Sequence, residues 1–166
     1  ADPALVRGYK TPATSVGKAI ATDDYMRMLE LAQAQKNPLR AARDYALLTV
    51  LLYTGLRRAE AANLQWGDIL VEGAHTVALL RDTKSGHEQH VKLSGRVREA
   101  LQALSDAYDG QFDYVFVSLC EKQSYGQRIR PSSISRIVRQ YGERIGLSIT
   151  AHSLRHTCAT LALEGG

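Results

Sequence analysis

Three short segments of this chain gather the side chains able to hold an anion or move a proton. The first, Thr54-Gly-Leu-Arg-Arg-Ala-Glu60, follows an apolar run that Gly55 stops. Arg57 falls at the break, where a side chain can leave the core and face a cleft. Glu60 stands three residues on, so its carboxylate can hold the guanidinium. A surface ion pair after a helix stop would account for the segment equally well. The second, Asp82-Thr-Lys-Ser-Gly-His87, fits a turn and carries Lys84 near its tip. Such a lysine is either simply solvated or a mobile ammonium delivered to a phosphate. Lys92 is less suited, because it lies within a strand pattern. The third, Ala151-His-Ser-Leu-Arg-His-Thr157, places His152, Arg155 and His156 at helical i, i+3 and i+4 spacings. Three cationic or titratable groups on one helix side repel one another unless an anion sits among them. His152 also falls in the first turn, where the helix dipole favours an anion and a neutral imidazole.

Metal chemistry fits these residues poorly. His152 and His156 have the spacing of a metalloprotease helix, but Ser153 stands where the glutamate base must be. A two-metal nuclease needs clustered carboxylates, and the adjacent acidic pair Asp23-Asp24 reads as a helix start. Cys158 near the histidines has no second cysteine beside it. Ser153 as a triad nucleophile lacks a strand–turn context.

The elements that must position these groups follow from periodicity. Thr22 is expected to cap a helix carrying Tyr25, Met28, Leu29 and Ala32 on one stripe. Asn37-Pro38 opens a second helix, whose run from Ala46 to Tyr53 is apolar all round and therefore buried. A short helix runs from Arg58 to Leu64. The pattern changes at Ile69. Thr76 to Leu80 reads as a strand, and Gln89, Val91 and Leu93 alternate with His90 and Lys92, so a hairpin presents Lys84. Ser94 begins a helix with Val97, Leu101, Leu104 and Tyr108 inward. Pro131 opens another with Ile134, Ile137, Val138, Tyr141 and Ile145 inward, and a last helix starts near Ala151. The expected fold is α+β and mostly helical, with a small antiparallel sheet packed on a helical core. Residues 1–21 read as a linker or arm, and residues 22–166 as one domain.

Composition sets the remaining bounds. The chain has 166 residues, 45% of them hydrophobic, which is enough for one core and excludes a disordered chain. The longest apolar run is too short to span a bilayer, and two cysteines do not make a disulfide scaffold, so a reducing cytoplasm is expected. The net charge is +4, but the basic residues are bunched. Lys36, Arg40, Arg43, Arg57 and Arg58 face Asp44 alone; Lys122, Arg128, Arg130, Arg136 and Arg139 face Glu121 alone. Two such stretches point to a polyanion, nucleic acid first, although solvated helix faces would look the same. Arg128, Arg130 and Arg136 flank a helix whose opposite stripe is apolar and are the expected contacts.

Together the three segments resemble the catalytic domain of tyrosine recombinases, the phage integrase family. Its TGLRxxE segment is here Thr54-Gly55-Leu56-Arg57-Arg58-Ala59-Glu60, with Glu60 fixing the register on Arg57. Its hairpin lysine is Lys84, and its HxLRHT box is His152-Ser153-Leu154-Arg155-His156-Thr157. The resemblance runs from about Thr22 to Gly166. It implies site-specific cleavage and rejoining of double-stranded DNA through a 3′-phosphotyrosyl intermediate, without metal or nucleotide cofactor. Arg57 and Arg155 would bind the reacting phosphate, Lys84 would protonate the departing 5′ oxygen, and His152 would take up the nucleophile's proton. Glu60 would orient and His156 would support. The resemblance further implies self-association on DNA, as a tetramer of a full-length parent, and no membrane. The family's nucleophilic tyrosine follows the HxLRHT box, whereas all eight tyrosines here precede it. The chain is therefore expected to be a fragment, without the N-terminal core-binding domain and without the nucleophile. A type IB topoisomerase and a non-catalytic DNA-binding relative are the competing readings.

Overall fold

The computed structural model describes residues 19–81 and 86–165, with side chains as far as Leu161. The first helix, α1, spans Thr22–Gln33 and buries Tyr25, Met28, Leu29 and Ala32. Thr22 does not cap it. Ala21 takes the extended cap conformation, and its carbonyl accepts from Asp24 N and Tyr25 N. Just before the bend, Ile20 N donates to Thr157 Oγ1 at 2.8 Å and ties the chain to the last helix.

The central element is α2, Pro38–Thr54, packed against α1 and against three later helices. Asn37 Oδ1 accepts from Leu39 N at 2.9 Å and Arg40 N at 3.0 Å, and Pro38 supplies a fixed φ at the first position. Every residue from Ala46 to Leu52 is buried, as an all-round apolar helix requires. Replacing Asn37 with alanine should lower unfolding free energy by about 1 kcal/mol in a urea titration, while aspartate should cost little. Gly55 ends the helix at φ +72, a conformation glycine adopts without Cβ strain.

After the short helix α3, Arg58–Asn63, comes a sheet of order β1-β2-β3 built from Ile69–Glu72, His75–Arg81 and Glu88–Lys92, all antiparallel. The sequence pattern indicates β2 and β3 but not β1. That strand has only four residues, with Leu70 and Val71 exposed, so it carries no inward–outward alternation to detect. The β2–β3 pairing closes at Arg81 opposite Glu88.

Helix α4, Gly95–Tyr108, is capped by Ser94, and its inward stripe of Val97, Leu101, Leu104 and Tyr108 is buried against α2. The run around Val115–Val117 passes through the core without joining the sheet. Val115 N donates to Leu64 O, and Ile129 N to Phe116 O, each at 3.0 Å. Helix α5, Pro131–Arg144, buries Ile134, Ile137, Val138 and Tyr141. The last helix, α6, spans Ala151–Gly165 and packs on α2 and α5. No helix among the described residues is long and apolar enough to cross a membrane.

Candidate active site

The site is assembled where the end of α2 meets α6. A Cβ at Gly55 would stand 3.3 Å from Cys158 Sγ, so the glycine is needed for its positive φ and for the closeness of this contact. The contact lies two residues before Arg57 and three residues after Arg155. It therefore brings together segments about a hundred positions apart in the chain.

Arg57 leads into α3 in extended conformation, with its side chain 65% exposed and available to a ligand. Glu60 holds it in two ways. Oε1 accepts from the Arg57 backbone N at 2.8 Å, and Oε2 lies 3.5 Å from Nη1. The backbone bond is the stronger constraint, because an exposed ion pair contributes little. Glu60 thus fixes where the guanidinium leaves the chain.

At the start of α6, Thr150 and Ser153 cap each other. Ser153 N donates to Thr150 Oγ1 at 3.1 Å, and Thr150 N to Ser153 Oγ at 3.2 Å. Ala151 and His152 follow the cap directly, and their amides fall outside the helical hydrogen-bond ladder. Ser153, Leu154 and Thr157 face inward and are buried, leaving His152 and His156 exposed and Arg155 half-buried. Thr157 Oγ1 donates to Ser153 O at 2.9 Å while accepting from Ile20 N, which pins the helix. Burial pushes the Cys158 thiol up from its ordinary value, and the nearby Arg155 charge partly offsets this. Ser153, a conceivable nucleophile by type, is committed to the cap.

Lys84 lies outside the described residues; the strands on either side of it pair as a hairpin. Arg128, Arg130 and Arg136 are all exposed but do not behave alike. Arg128 Nη1 donates to Asn63 Oδ1 at 3.1 Å at the end of α3, whereas Arg136 lines a cleft between α2 and α5. Arg58, named in the sequence only as one of the first basic stretch, donates from Nη1 to Ser135 Oγ and ties α3 to α5 beside the site. The doubled arginine was the available signal, since only one of the two fits the motif. The structure also corrects the charge reading of the first basic stretch. Arg43 is 7% exposed and neutralised by Asp44 at 2.8 Å, so it is not part of a polyanion surface.

Two tyrosines are committed to the core. Tyr108 donates to Val115 O at 2.8 Å and Tyr141 to Asp44 Oδ2 at 2.6 Å. Burial raises both phenols, and the Asp44 carboxylate raises Tyr141 further. Tyr125, in the loop before α5, is 45% exposed and stands edge-on to Phe112.

Comparison with known proteins places the chain and its fold among recombinases. The tyrosine recombinase XerC of Rhodospirillum centenum is 36% identical over 155 residues, covering 90% of this chain and 43% of its own. XerA of Thermococcus onnurineus is 25% identical, covering 92% and 51%. The chain thus spans about half the length of the curated relatives it matches. A crystal structure of XerA recombinase superposes with a TM-score of 0.72 at 30% identity, over 89% of this chain and 51% of that one. The lambda integrase catalytic core gives 0.67 at 17% identity, over 89% and 84%, a likeness of fold alone. The family model described as the phage integrase family matches residues 18–166, from just before α1 through the HxLRHT helix, and the chain belongs to that family.

Proposed function

We propose that this chain is the strand-cleaving part of a site-specific DNA recombinase, and that Arg57, Lys84, His152 and Arg155 are its catalytic groups. The observation carrying this reading is the Gly55–Cys158 contact, which sets the Arg57 segment against the helix of His152 and Arg155. A phosphodiester under attack builds charge on its non-bridging oxygens. Two permanently protonated guanidiniums stabilise that charge without a metal. Lys84, which the sequence sets between β2 and β3, donates a proton to the departing 5′ oxygen. His152, exposed in the first turn of α6, accepts the proton of the attacking hydroxyl and later returns it. Glu60 orients Arg57, and His156 supports the pocket. The relatives named recombinases favour this reading over supercoil relaxation. The partner is double-stranded DNA carrying a recombination site, bound by copies that associate on it in the cytoplasm. Service to a mobile element is one such role.

None of the eight tyrosines is assigned as nucleophile. Mixed with a suicide DNA substrate carrying the parent's site, the chain is expected to give no covalent band on a denaturing gel. If a longer parent carries a tyrosine after α6, addition of that segment should produce one. A band from the chain alone would overturn the assignment and make Tyr125 the first residue to replace.

Arg128 and Arg130 are proposed to contact phosphates beside α3. Replacing each by glutamine should weaken binding about equally on all DNA sequences. The slope of log affinity against log salt should fall by about one unit for each arginine replaced. An unchanged slope would make them merely solvated.

A further inference from the structure

The N-terminal end of α2 and the face of α5 carrying Arg136 and Gln140 enclose a cleft of about 690 Å³ that the proposed chemistry does not use. Arg40 lies in the first turn of α2 and Gly55 just past its last, so the cleft is about 20 Å along the axis from the candidate active site.

Its floor is fixed and electrically satisfied. Arg43 gives Nε and Nη2 to Asp44 Oδ1 at 2.9 and 2.8 Å, and Nη1 to Val117 O at 3.1 Å. Tyr141 donates to Asp44 and accepts from Gln35 Nε2 at 2.8 Å. Beside this network lie the buried apolar side chains of Leu119, Ile129 and Ile137.

The rim is different. Arg40, Arg136 and Arg144 line it, all exposed, and none forms an ion pair among the described residues. Glu143 is the one carboxylate at the rim, and it lies 3.9 Å from Arg139. Three guanidiniums thus surround a concave surface whose floor is a satisfied polar network with an apolar strip of Leu119, Ile129 and Ile137 beside it. The volume falls in the range of ligand-binding clefts. A rounded space of that volume is roughly 11 Å across, less than the width of the DNA major groove alone, so a duplex can touch the rim but cannot enter the cleft. An extended peptide can. Its carboxylates would meet the arginines as planar, doubly hydrogen-bonded pairs, and an apolar side chain between them would rest on Leu119 and Ile137.

We infer that this cleft docks an acidic segment of a partner protein, anchored by an apolar side chain. The distance from Arg57 allows DNA and the segment to be held together.

The test uses a fluorescent peptide, Glu-Asp-Leu-Phe-Glu-Asp-Leu-Glu, and its Gln/Asn counterpart, with polarisation as the readout. The acidic peptide should bind at least tenfold more tightly than the amide one. The paired change Arg40→Glu and Arg144→Glu should weaken it at least tenfold, with an unchanged far-ultraviolet spectrum. Cys120 lines the cleft and is exposed, so bound peptide should slow its alkylation and leave that of Cys158 unaffected. Equal affinity for both peptides, unaltered binding by the charge-reversed protein, or unprotected Cys120 would each overturn the proposal. So would displacement of the peptide by duplex DNA together with a matching loss of DNA affinity in the charge-reversed protein, which would make the rim a nucleic-acid surface.

Discussion

Alanine in place of Arg57 or Arg155, in a full-length parent, is expected to slow strand cleavage about 10²–10³-fold, or about 2.7–4 kcal/mol of transition-state stabilisation. The magnitude is that of removing one charge-stabilising donor from a preorganised site. Arg57 is already placed before substrate arrives, because Glu60 Oε1 fixes its backbone and Oε2 faces its guanidinium. The backbone from which the guanidinium projects therefore needs no rearrangement when substrate binds. DNA affinity should fall far less than the cleavage rate, since each arginine is one cation among many, while its hydrogen bonds strengthen only as charge develops. Lysine at position 57 should not restore the rate, because an ammonium cannot present two parallel donors. Single-turnover cleavage of a suicide substrate measures the effect. A near wild-type rate for either alanine variant would remove that arginine from the mechanism.

The largest expected change in stability concerns Asp44→Ala, at about 3–5 kcal/mol. Its carboxylate neutralises the buried Arg43 and accepts the Tyr141 hydroxyl. Alanine leaves a guanidinium at 7% exposure without its counter-charge and a phenol without its acceptor. One residue therefore joins the turn after α1 through Gln35, α2 directly, α5 through Tyr141 and the core run through Arg43. Replacing Arg43 by methionine and Asp44 by leucine together should cost much less, because no uncompensated charge stays buried. Urea unfolding of the single and double variants decides this. A loss below about 1 kcal/mol for Asp44→Ala would show that water reaches Arg43 and replaces the carboxylate.

What the sequence determined by itself was local and periodic. Asn37-Pro38 starts α2 because the amide side chain and the fixed φ act within one turn of themselves. The stripes of α4 and α5 are buried because a helix returns the same face every three or four residues. The TGLRxxE and HxLRHT segments were legible for the same reason, as residue types at fixed short spacings. Only the tertiary structure decided which of these local features meet. Thr22 has the chemistry of a cap, but the cap position falls one residue earlier at Ala21, beside a bond from Ile20 to Thr157. Arg43 and Asp44 are sequence neighbours that point to different sides of a helix by spacing, and burial curled the guanidinium onto the carboxylate. Arg136 was grouped with Arg128 by charge, and α5 sets it on the rim of the cleft shared with α2 while Arg128 bonds Asn63 at the end of α3. Gly55 could be read as a helix stop, but not as the place where Cys158 would press. That contact depends on the return of the chain a hundred residues later, driven by burial of the α2 and α6 faces. Burial acts on area irrespective of sequence distance, so no short-range pattern encodes which partner closes over which face.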